Sequence, residues 1–533
     1  EQWLVSRDPE LLKTPEAQSW LTNSKIKKDV FNAKAQIVGL NRLGIALDGI
    51  DFDLLLASYL LNTNDNSNDL GKLAHEHGYD DVQTDEEVYG KGAKRTIPDD
   101  DQLFFQHLAN KARAIEQLRP QLFEQLEKNE QLPLYTDIEL PLTHVLAKME
   151  ITGVHVDAQT LKNMGSKLTE RLTEIEEQIY QEAGEEFNIN STKQLGKILF
   201  EKLKLPVIKK TKTGYSTAVD VLEKLAPQAP IVENILQYRQ ISKLQSTYIK
   251  GLLKVIHSSD QKIHTRYLQT LTQTGRLSSV DPNLQNIPVR LPEGRLIRQA
   301  FVPSDGKVFV GADYSQFELR LAAVLAGDEK LIEDFNSDVD IHAKTAAETY
   351  GISIDEVSKS QRRAAKVINF GVLYGMSPHG LAAATGMSFT EAKKFIDHYF
   401  EVRKPIRQYL DKILTQAREQ GFVETYFGRR RPTPDVKSSN FMVRSSAERA
   451  AMNMPIQGTE ADLMKLAMIR LEDKLSGLAD AILQVHDSIL VECKPEDVQK
   501  VSEIMKAEME GVCPELPIKL KVDVGTGANW GEV

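Results

Sequence analysis

Two short apolar segments, each carrying an aspartate where it ends or turns, bracket a long stretch of helical periodicity, and no other feature constrains this chain as much. The first, Lys307-Val308-Phe309-Val310-Gly311-Ala312-Asp313-Tyr314-Ser315, has the β-branched and aromatic content of a buried strand. The second, Ile482-Leu483-Gln484-Val485-His486-Asp487-Ser488-Ile489-Leu490-Val491, reads as two apolar strands joined by a tight turn holding His486 and Asp487. Between them, over about 320 to 475, the pattern is helical. The expectation is an α/β chain with Asp313 and Asp487 at the edge of an apolar sheet. A carboxylate beside hydrophobic strands needs a countercharge, because burying it alone is costly. One such aspartate is explained by a turn that caps its own backbone; two share an explanation in a divalent cation, and hard oxygen ligands suit Mg²⁺. Two ions about 3.5–4 Å apart can activate an attacking hydroxyl and hold both the attacking and the leaving oxygen of an in-line displacement, so phosphoryl transfer is the leading reaction class.

A second pattern points the same way. Arg362, Lys366, Phe370 and Tyr374 follow one another at steps of four between Gln361 and Gly375. Each step drifts about 40° around a helix, so the four occupy an arc of about 120° on one face. Cations followed by aromatic rings complement a nucleoside triphosphate, with its phosphates, then sugar and base. Arg362 can bind phosphate in a bidentate way, and Lys366 is a point charge able to give a proton to departing pyrophosphate. Gly371 and Gly375 loosen the end of this helix.

The 533 residues predict three to five domain-sized units, and 41% hydrophobic with 27% charged residues is ordinary for a soluble globular chain. The longest apolar runs fall short of the ~20 residues needed to cross a bilayer, so no membrane partner is expected. Cys493 and Cys513 have no Cys or His companions at zinc spacing, which predicts neither disulfide nor zinc and a reducing, cytoplasmic setting. A start at Glu1 without a signal segment reads as a fragment excised from a longer intracellular protein. The net charge of −10 argues against nucleic acid only on average. Residues 1–130 hold 15 Lys+Arg against 23 Asp+Glu, a net of −8, leaving −2 for the other 403 residues.

The acidic part, 1–133, reads as a mostly helical module with loops at Asn62 to Asp69 and Asp80 to Asp101 and a helix over Gln102 to Leu126. Leu161 to Ile179 and Ile231 to Leu252 have the apolar stripes of two long amphipathic helices, expected to pack as an antiparallel pair. Between them, Lys193 to Lys212 carries seven lysines and one acidic residue, Glu201. That run is either a solvated face or a phosphate contact, with Lys209, Lys210 and Lys212 the candidates.

Asp313-Tyr314-Ser315-Gln316-Phe317-Glu318-Leu319-Arg320, the run from Arg362 to Gly375, and Gln484-Val485-His486-Asp487 together resemble, in order and spacing, the three polymerase motifs of family A DNA polymerases. Thr274 to Ser279, Asp281 to Pro288 and Ala447-Glu448-Arg449 through Gln457-Gly458 are similar to the family's primer-template elements, and the likeness runs to members from Bacillus and lactic acid bacteria. The resemblance implies a DNA-directed DNA polymerase of replication and repair, shaped as a right hand and acting as a monomer on primer-template DNA and deoxynucleoside triphosphates. It implies a vestigial, truncated 3′–5′ exonuclease-like domain over 1–133 and a polymerase domain over 134–533. Within the latter, the thumb covers about 153–265, the palm about 266–320 and 476–533, and the fingers about 321–475. Asp313, Asp487 and Tyr314 would hold two Mg²⁺ ions. Arg362, Lys366, Phe370, Tyr374, His342 and Gln316 would bind the incoming nucleotide, and Glu318 would fill the space a ribose 2′-hydroxyl needs. Arg276, Asn283, Gln285, Arg449, Asn453, Gln457 and His486 would touch the DNA, where minor-groove acceptors report pair geometry with little regard to sequence.

The chain departs from the family pattern in places. Ser488 stands where many members carry Glu, leaving two carboxylates of three in that motif, and Phe317, expected on a packed strand end, stands where Ile is common. In the N-terminal module the strand bearing the first acidic pair is absent, the second site reads Ala35-Gln36, and the expected Tyr-to-Asp spacing reads His107 to Lys111. Proofreading is therefore expected to be missing, with Asp51 and Asp53 ordinary surface or capping residues. A single-subunit RNA polymerase would share the aspartates and the cationic helix, but Glu318 argues against it. A DNA-binding module without catalysis would be expected to lack Asp313, Asp487 or Lys366. A P-loop kinase or ATPase would need a Gly-x-x-x-x-Gly-Lys-Ser/Thr loop, which the chain lacks.

Overall fold

The computed structural model describes residues 2–289 and 291–533. The chain packs as two compact units, one of Glu1–Thr152, Arg266–Val280 and Val310–Gly525, the other of Gly153–Thr265, Asp281–Phe309 and Thr526–Val533.

In the first unit, strands β1 (Lys28–Val30) and β2 (Ile50–Asp53) pair in parallel. The apolar run that follows Phe52 becomes helix α1 (Leu54–Leu61), started by Asp53. Of the two readings the sequence left for this aspartate, surface or capping, the structure shows the capping one. Asp53 is 1% exposed, and its carboxylate accepts the amides of Asn32, Ala33 and Leu55 at 2.9, 2.8 and 2.9 Å. Burial raises its pKa to about 6 in spite of those bonds. Asp51 is paired with Arg119. The stretch read as a loop over Asp80 to Asp101 contains a short helix, Asp85–Tyr89, with Thr84 as its cap. Helix α2 (Asp101–Lys128) sets Leu118, Leu122 and Leu126 against Phe52, Leu54 and Leu60 in one core.

The second unit contains helices α3 (Ala158–Ala183) and α4 (Pro230–Lys243), the latter continued by a wider π-type turn over Leu244–Lys250. Asn234 reaches Glu182 at 3.0 Å and Gln245 reaches Thr169 at 3.1 Å, a descending register that makes the pair antiparallel. In the lysine-rich connection, Lys210–Thr211 pairs with Gly214–Tyr215, and Lys209, Lys210 and Lys212 are exposed.

Returning to the first unit, strands β3 (Arg266–Leu268) and β4 (Ser278–Val280) pair antiparallel, and the loop between them carries Arg276. Strand β5 (Val308–Tyr314) is followed by helices α5 (Phe317–Ala326), α6 (Ile341–Tyr350), α7 (Lys359–Gly371) and the long α8 (Phe441–Lys474). Strands β6 (Ala479–Val485), β7 (Ser488–Cys493) and β8 (Val522–Gly527) complete a four-stranded sheet in the order β6-β7-β5-β8. Phe317 starts a helix instead of ending a strand: Gln316 turns the chain with φ 50°, and the Phe317 ring then stacks on Tyr314 at 4.1 Å. Beside α8, Glu139 is held by Arg429 at 2.5 Å and Lys465 at 2.6 Å, with Asp462 on Arg429 at 2.8 Å, all four 0–1% exposed.

Candidate active site

The alternation of β5 buries Ala312 and Tyr314 and leaves Asp313 between them exposed. Asp487 sits in the turn joining β6 to β7, where His486, exposed, takes a left-handed φ of 50°. The amide of Tyr314 donates to the carbonyl of Asp487 at 3.1 Å, so the main chain itself brings together two aspartates that are far apart in sequence. Gln484 donates to the His486 carbonyl at 2.6 Å and the Ser488 hydroxyl to the Val485 carbonyl at 2.8 Å, which closes the turn.

Although the residue is exposed, partial desolvation of its carboxyl raises the Asp313 pKa, and the charge of Asp523 on β8 adds to the rise. Asp487 is pushed up to about 6 by burial; Arg276 opposes this, while Glu318 and Asp313 reinforce it. Neither carboxylate has an ion-pair partner among the described residues. A pair of converging, under-compensated hard oxygen donors fits a divalent cation. The Tyr314 phenol donates to the Met509 carbonyl at 2.8 Å, so what this residue can offer a cation is its main-chain carbonyl.

Helix α7 starts at a reciprocal cap: the Gln361 amide donates to the Ser358 hydroxyl at 3.2 Å and the Ser358 amide to the Gln361 side chain at 2.9 Å. Ala364, Ala365 and Ile368 are buried, and Arg362, Lys366 and Phe370 are exposed, as the four-residue spacing predicts. Tyr374 is exposed as well, but it lies beyond the α-helix, in a tighter turn over Val372–Tyr374 that ends at Gly375 with φ +69°. Arg362 pairs with Asp340 at 3.0 Å, the aspartate that also caps α6. His342 is 3% exposed, and its Nδ1 accepts from the Asn369 amide at 3.1 Å. Burial, together with the charge of Arg362, lowers its pKa to about 4, so the ring is neutral at neutral pH, with its proton on Nε2.

Across from α7, Arg449, Asn453 and Gln457 follow at steps of four along one face of α8. Gly458 is needed where it stands: a Cβ there would come within 2.8 Å of the Thr274 carbonyl, which lies two residues before Arg276. The Arg276 Nη2 lies 2.8 Å from Glu460 and 3.5 Å from Glu318. The Tyr374 hydroxyl donates to Glu318 at 2.6 Å and accepts from Gln457 at 3.4 Å. Glu460 was not singled out from the sequence, and neither were Asp340, Asn369 and Asp523. For Glu460 the one available signal was its position one helical turn beyond Gln457.

The structure thus gathers Asp313, Tyr314, Gln316, Glu318, Arg276, His342, Arg362, Lys366, Phe370, Tyr374, Arg449, Asn453, Gln457, His486 and Asp487 in the first unit. Asn283, Gln285, Lys209, Lys210 and Lys212 belong to the second, where the Asn283 side chain accepts the Gln285 amide at 2.9 Å.

A four-stranded sheet with two neighbouring aspartates beside a cationic helix defines a protein of the polymerase class. Residues 158–532 match the model of DNA polymerase family A, and residues 1–118 match that of the DNA polymerase I ribonuclease H-like domain; the chain belongs to DNA polymerase family A. It is 51% identical over 525 residues to DNA polymerase I of Geobacillus stearothermophilus, covering 97% of this chain and 60% of that protein. Its identity to DNA polymerase I of Bacillus subtilis is 50% over 517 residues, covering 96% and 58%, and to that of Lactococcus lactis subsp. cremoris 49% over 516 residues, again 96% and 58%. The chain therefore spans about 60% of the length of the curated relatives it matches. Among solved structures, the POL domain of Pol1 from M. smegmatis, in complex with DNA primer-template and dNTP, superimposes with a TM-score of 0.87 at 36% identity, covering 98% of this chain and 90% of that one. Family membership implies a divalent metal cofactor. Among the described residues no helix is long and apolar enough to cross a membrane.

Proposed function

We propose that this chain performs template-directed DNA synthesis, adding deoxynucleotides to a primer 3′-hydroxyl with release of pyrophosphate. The observation that carries the reading is the main-chain bond from Tyr314 to Asp487, which sets two under-compensated aspartates side by side. Its partners are primer-template DNA and deoxynucleoside triphosphates, the ligands named for the M. smegmatis complex. In this reading the palm is about 266–320 and 476–533, the fingers about 321–475 and the thumb about 153–265, with an exonuclease-like module over 1–133.

Asp313, Asp487 and the Tyr314 carbonyl would hold two Mg²⁺ ions, which supply a lowered pKa for the primer hydroxyl and charge neutralisation on the phosphate oxygens. Arg362 exchanges Asp340 for phosphate, a charge-assisted contact of the same geometry. Lys366 gives its proton to departing pyrophosphate. His342, fixed at Nδ1 by Asn369, presents its Nε2 proton to the triphosphate, and Phe370, Tyr374 and Gln316 flank sugar and base. Glu318, anchored by Tyr374, occupies the place of a 2′-hydroxyl. Arg276, Asn283, Gln285, Arg449, Asn453, Gln457 and His486 contact the duplex, and Lys209, Lys210 and Lys212 its phosphates. The substitutions at Ala35-Gln36 and over His107 to Lys111 support a chain without proofreading.

Primer extension with Mg²⁺ tests the proposal. The parent chain should extend with deoxynucleotides, Asp313→Ala or Asp487→Ala should lower the rate by about 10³-fold or more while retaining DNA binding, and a 3′-labelled primer should keep its label when nucleotides are omitted. No extension by the parent, or extension undiminished by either substitution, overturns the assignment; steady loss of label overturns the absence of proofreading.

A further inference from the structure

Glu460 has no role in the reading above, yet its surroundings are those of a working residue. It is 3% exposed, one carboxylate oxygen accepts from Arg276 at 2.8 Å, and the other, Oε1, is buried with no hydrogen-bond partner. A carboxylate oxygen left in that state destabilises the fold, and a small apolar side chain at the same place would not.

The bonds around it close a ring. From α8, Glu460 takes Arg276; the same Arg276 nitrogen lies 3.5 Å from Glu318; both Glu318 oxygens lie 2.6 Å from the Tyr374 hydroxyl; and that hydroxyl accepts from Gln457 at 3.4 Å, back on α8. One guanidinium therefore faces two carboxylates, and the distances say which of them has it. The 2.8 Å contact is a charge-assisted hydrogen bond, whereas 3.5 Å lies outside the usual range of about 2.7–3.2 Å. Glu318 is left to Tyr374.

We propose that Glu460 is a positioning residue for sugar selectivity: by holding Arg276 it keeps the Glu318 carboxylate fastened to Tyr374, where it denies space to a ribose 2′-hydroxyl. This rests on the reading of Glu318 as the sugar gate. Without the Glu460 carboxylate, Arg276 keeps two acidic neighbours, Glu318 and Asp487; Glu318 already lies 3.5 Å from the nitrogen that is released, and Arg276 pairs with it. The gate then leaves Tyr374 and the space beside the sugar opens. Glu460→Gln keeps the shape and an acceptor but not the charge, and so stands between the parent and Glu460→Ala.

The test is single-nucleotide insertion by the full chain on a primer-template, comparing kcat/KM for a ribonucleotide with that for the matching deoxynucleotide. The ratio should rise about tenfold in Glu460→Ala and less in Glu460→Gln, and Glu460→Ala should add nothing in a Glu318→Ala background. That lack of additivity is what a merely structural role would not produce. An unchanged ratio in Glu460→Ala, or the same rise with Glu318 already removed, overturns the proposal. Should Glu460→Ala lower the melting temperature, Glu460→Gln carries the test, and a parental ratio there overturns it. A parent that inserts no deoxynucleotide defeats the polymerase reading instead, a distinguishable failure.

Discussion

Two clusters of charge lie in the first unit, both gathered from separate stretches of chain, and they are built on opposite principles. Around Glu139 two acids meet two bases: Glu139 and Asp462 face Arg429 and Lys465, with contacts of 2.5 to 2.8 Å and exposures of 0–1%. Around Asp487 the sum does not close, because Asp313, Glu318 and Glu460 adjoin the group and a single base, Arg276, is shared by Asp487, Glu318 and Glu460. The titration behaviour follows. Burial alone would raise Glu139, but Lys465 and Arg429 bring it down to about 2, whereas burial and like charge raise Asp487 to about 6. A balanced cluster fastens segments together; an unbalanced one stores a demand for cations, which is what a site for metal ions and phosphates requires.

The largest effect expected from breaking this contrast is on stability. Arg429→Met leaves Asp462 buried without its cation and should cost about 3–5 kcal/mol in urea denaturation. Its ribonucleotide-to-deoxynucleotide ratio should stay at the parental value; a destabilisation below about 1 kcal/mol would show that the cluster holds nothing.

The second effect is one of sign. Asp487, raised above the ordinary aspartate value, contributes stability that is fully present below about 4 and lost as pH rises through about 6. Glu139, lowered, contributes stability that is present above about 4.5 and lost as pH falls through about 2. Denaturation midpoints in metal-free buffer should therefore decline between about pH 4 and 6 in the parent, by about 2 kcal/mol or less, and be flatter there in Asp487→Asn. Added Mg²⁺ should remove the part of the decline that Asp487→Asn also removes, leaving the part that the buried Asp53 contributes. A parental curve as flat as that of Asp487→Asn would take the unbalanced cluster out of the account.

The smallest effect concerns charges that are neither balanced nor clustered. Replacing the exposed Lys209, Lys210 and Lys212 with Ala should weaken duplex binding modestly and reduce its salt slope by about 1 for each lysine on a phosphate. An unaltered slope would assign all three to solvent.

What the sequence disclosed is whatever has a local pattern. Strand composition ending on Asp313, a turn holding Asp487, and the four-step series from Arg362 all depend on neighbours within a few residues. The amphipathic stripes of α3 and α4 were legible for the same reason, and so was their pairing. Tyr374 departed from the arc because the α-helix ends at Gly371, a boundary that the spacing of side chains does not encode. Asp53 was legible as a cap, but its burial was not, because two of the three amides that donate to it come from the distant segment at Asn32 and Ala33. Glu460 was passed over because an acid in the middle of a long helix reads as solvated, and only the approach of Arg276 past Gly458 gives it a partner. The Glu139 cluster was invisible for a like cause, with each member meaningless until the fold assembles the others.

The bond between Tyr314 and Asp487 runs from amide to carbonyl, and this has a practical corollary. Its donor and acceptor are main-chain atoms, so replacing the side chain of Asp313 or Asp487 with another non-proline side chain removes neither. The spacing of the two ligand positions is thereby independent of which ligands occupy them. An engineer could install asparagine, histidine or cysteine at 313 or 487, one position at a time, and screen for other cations with the crossing of the two strands kept.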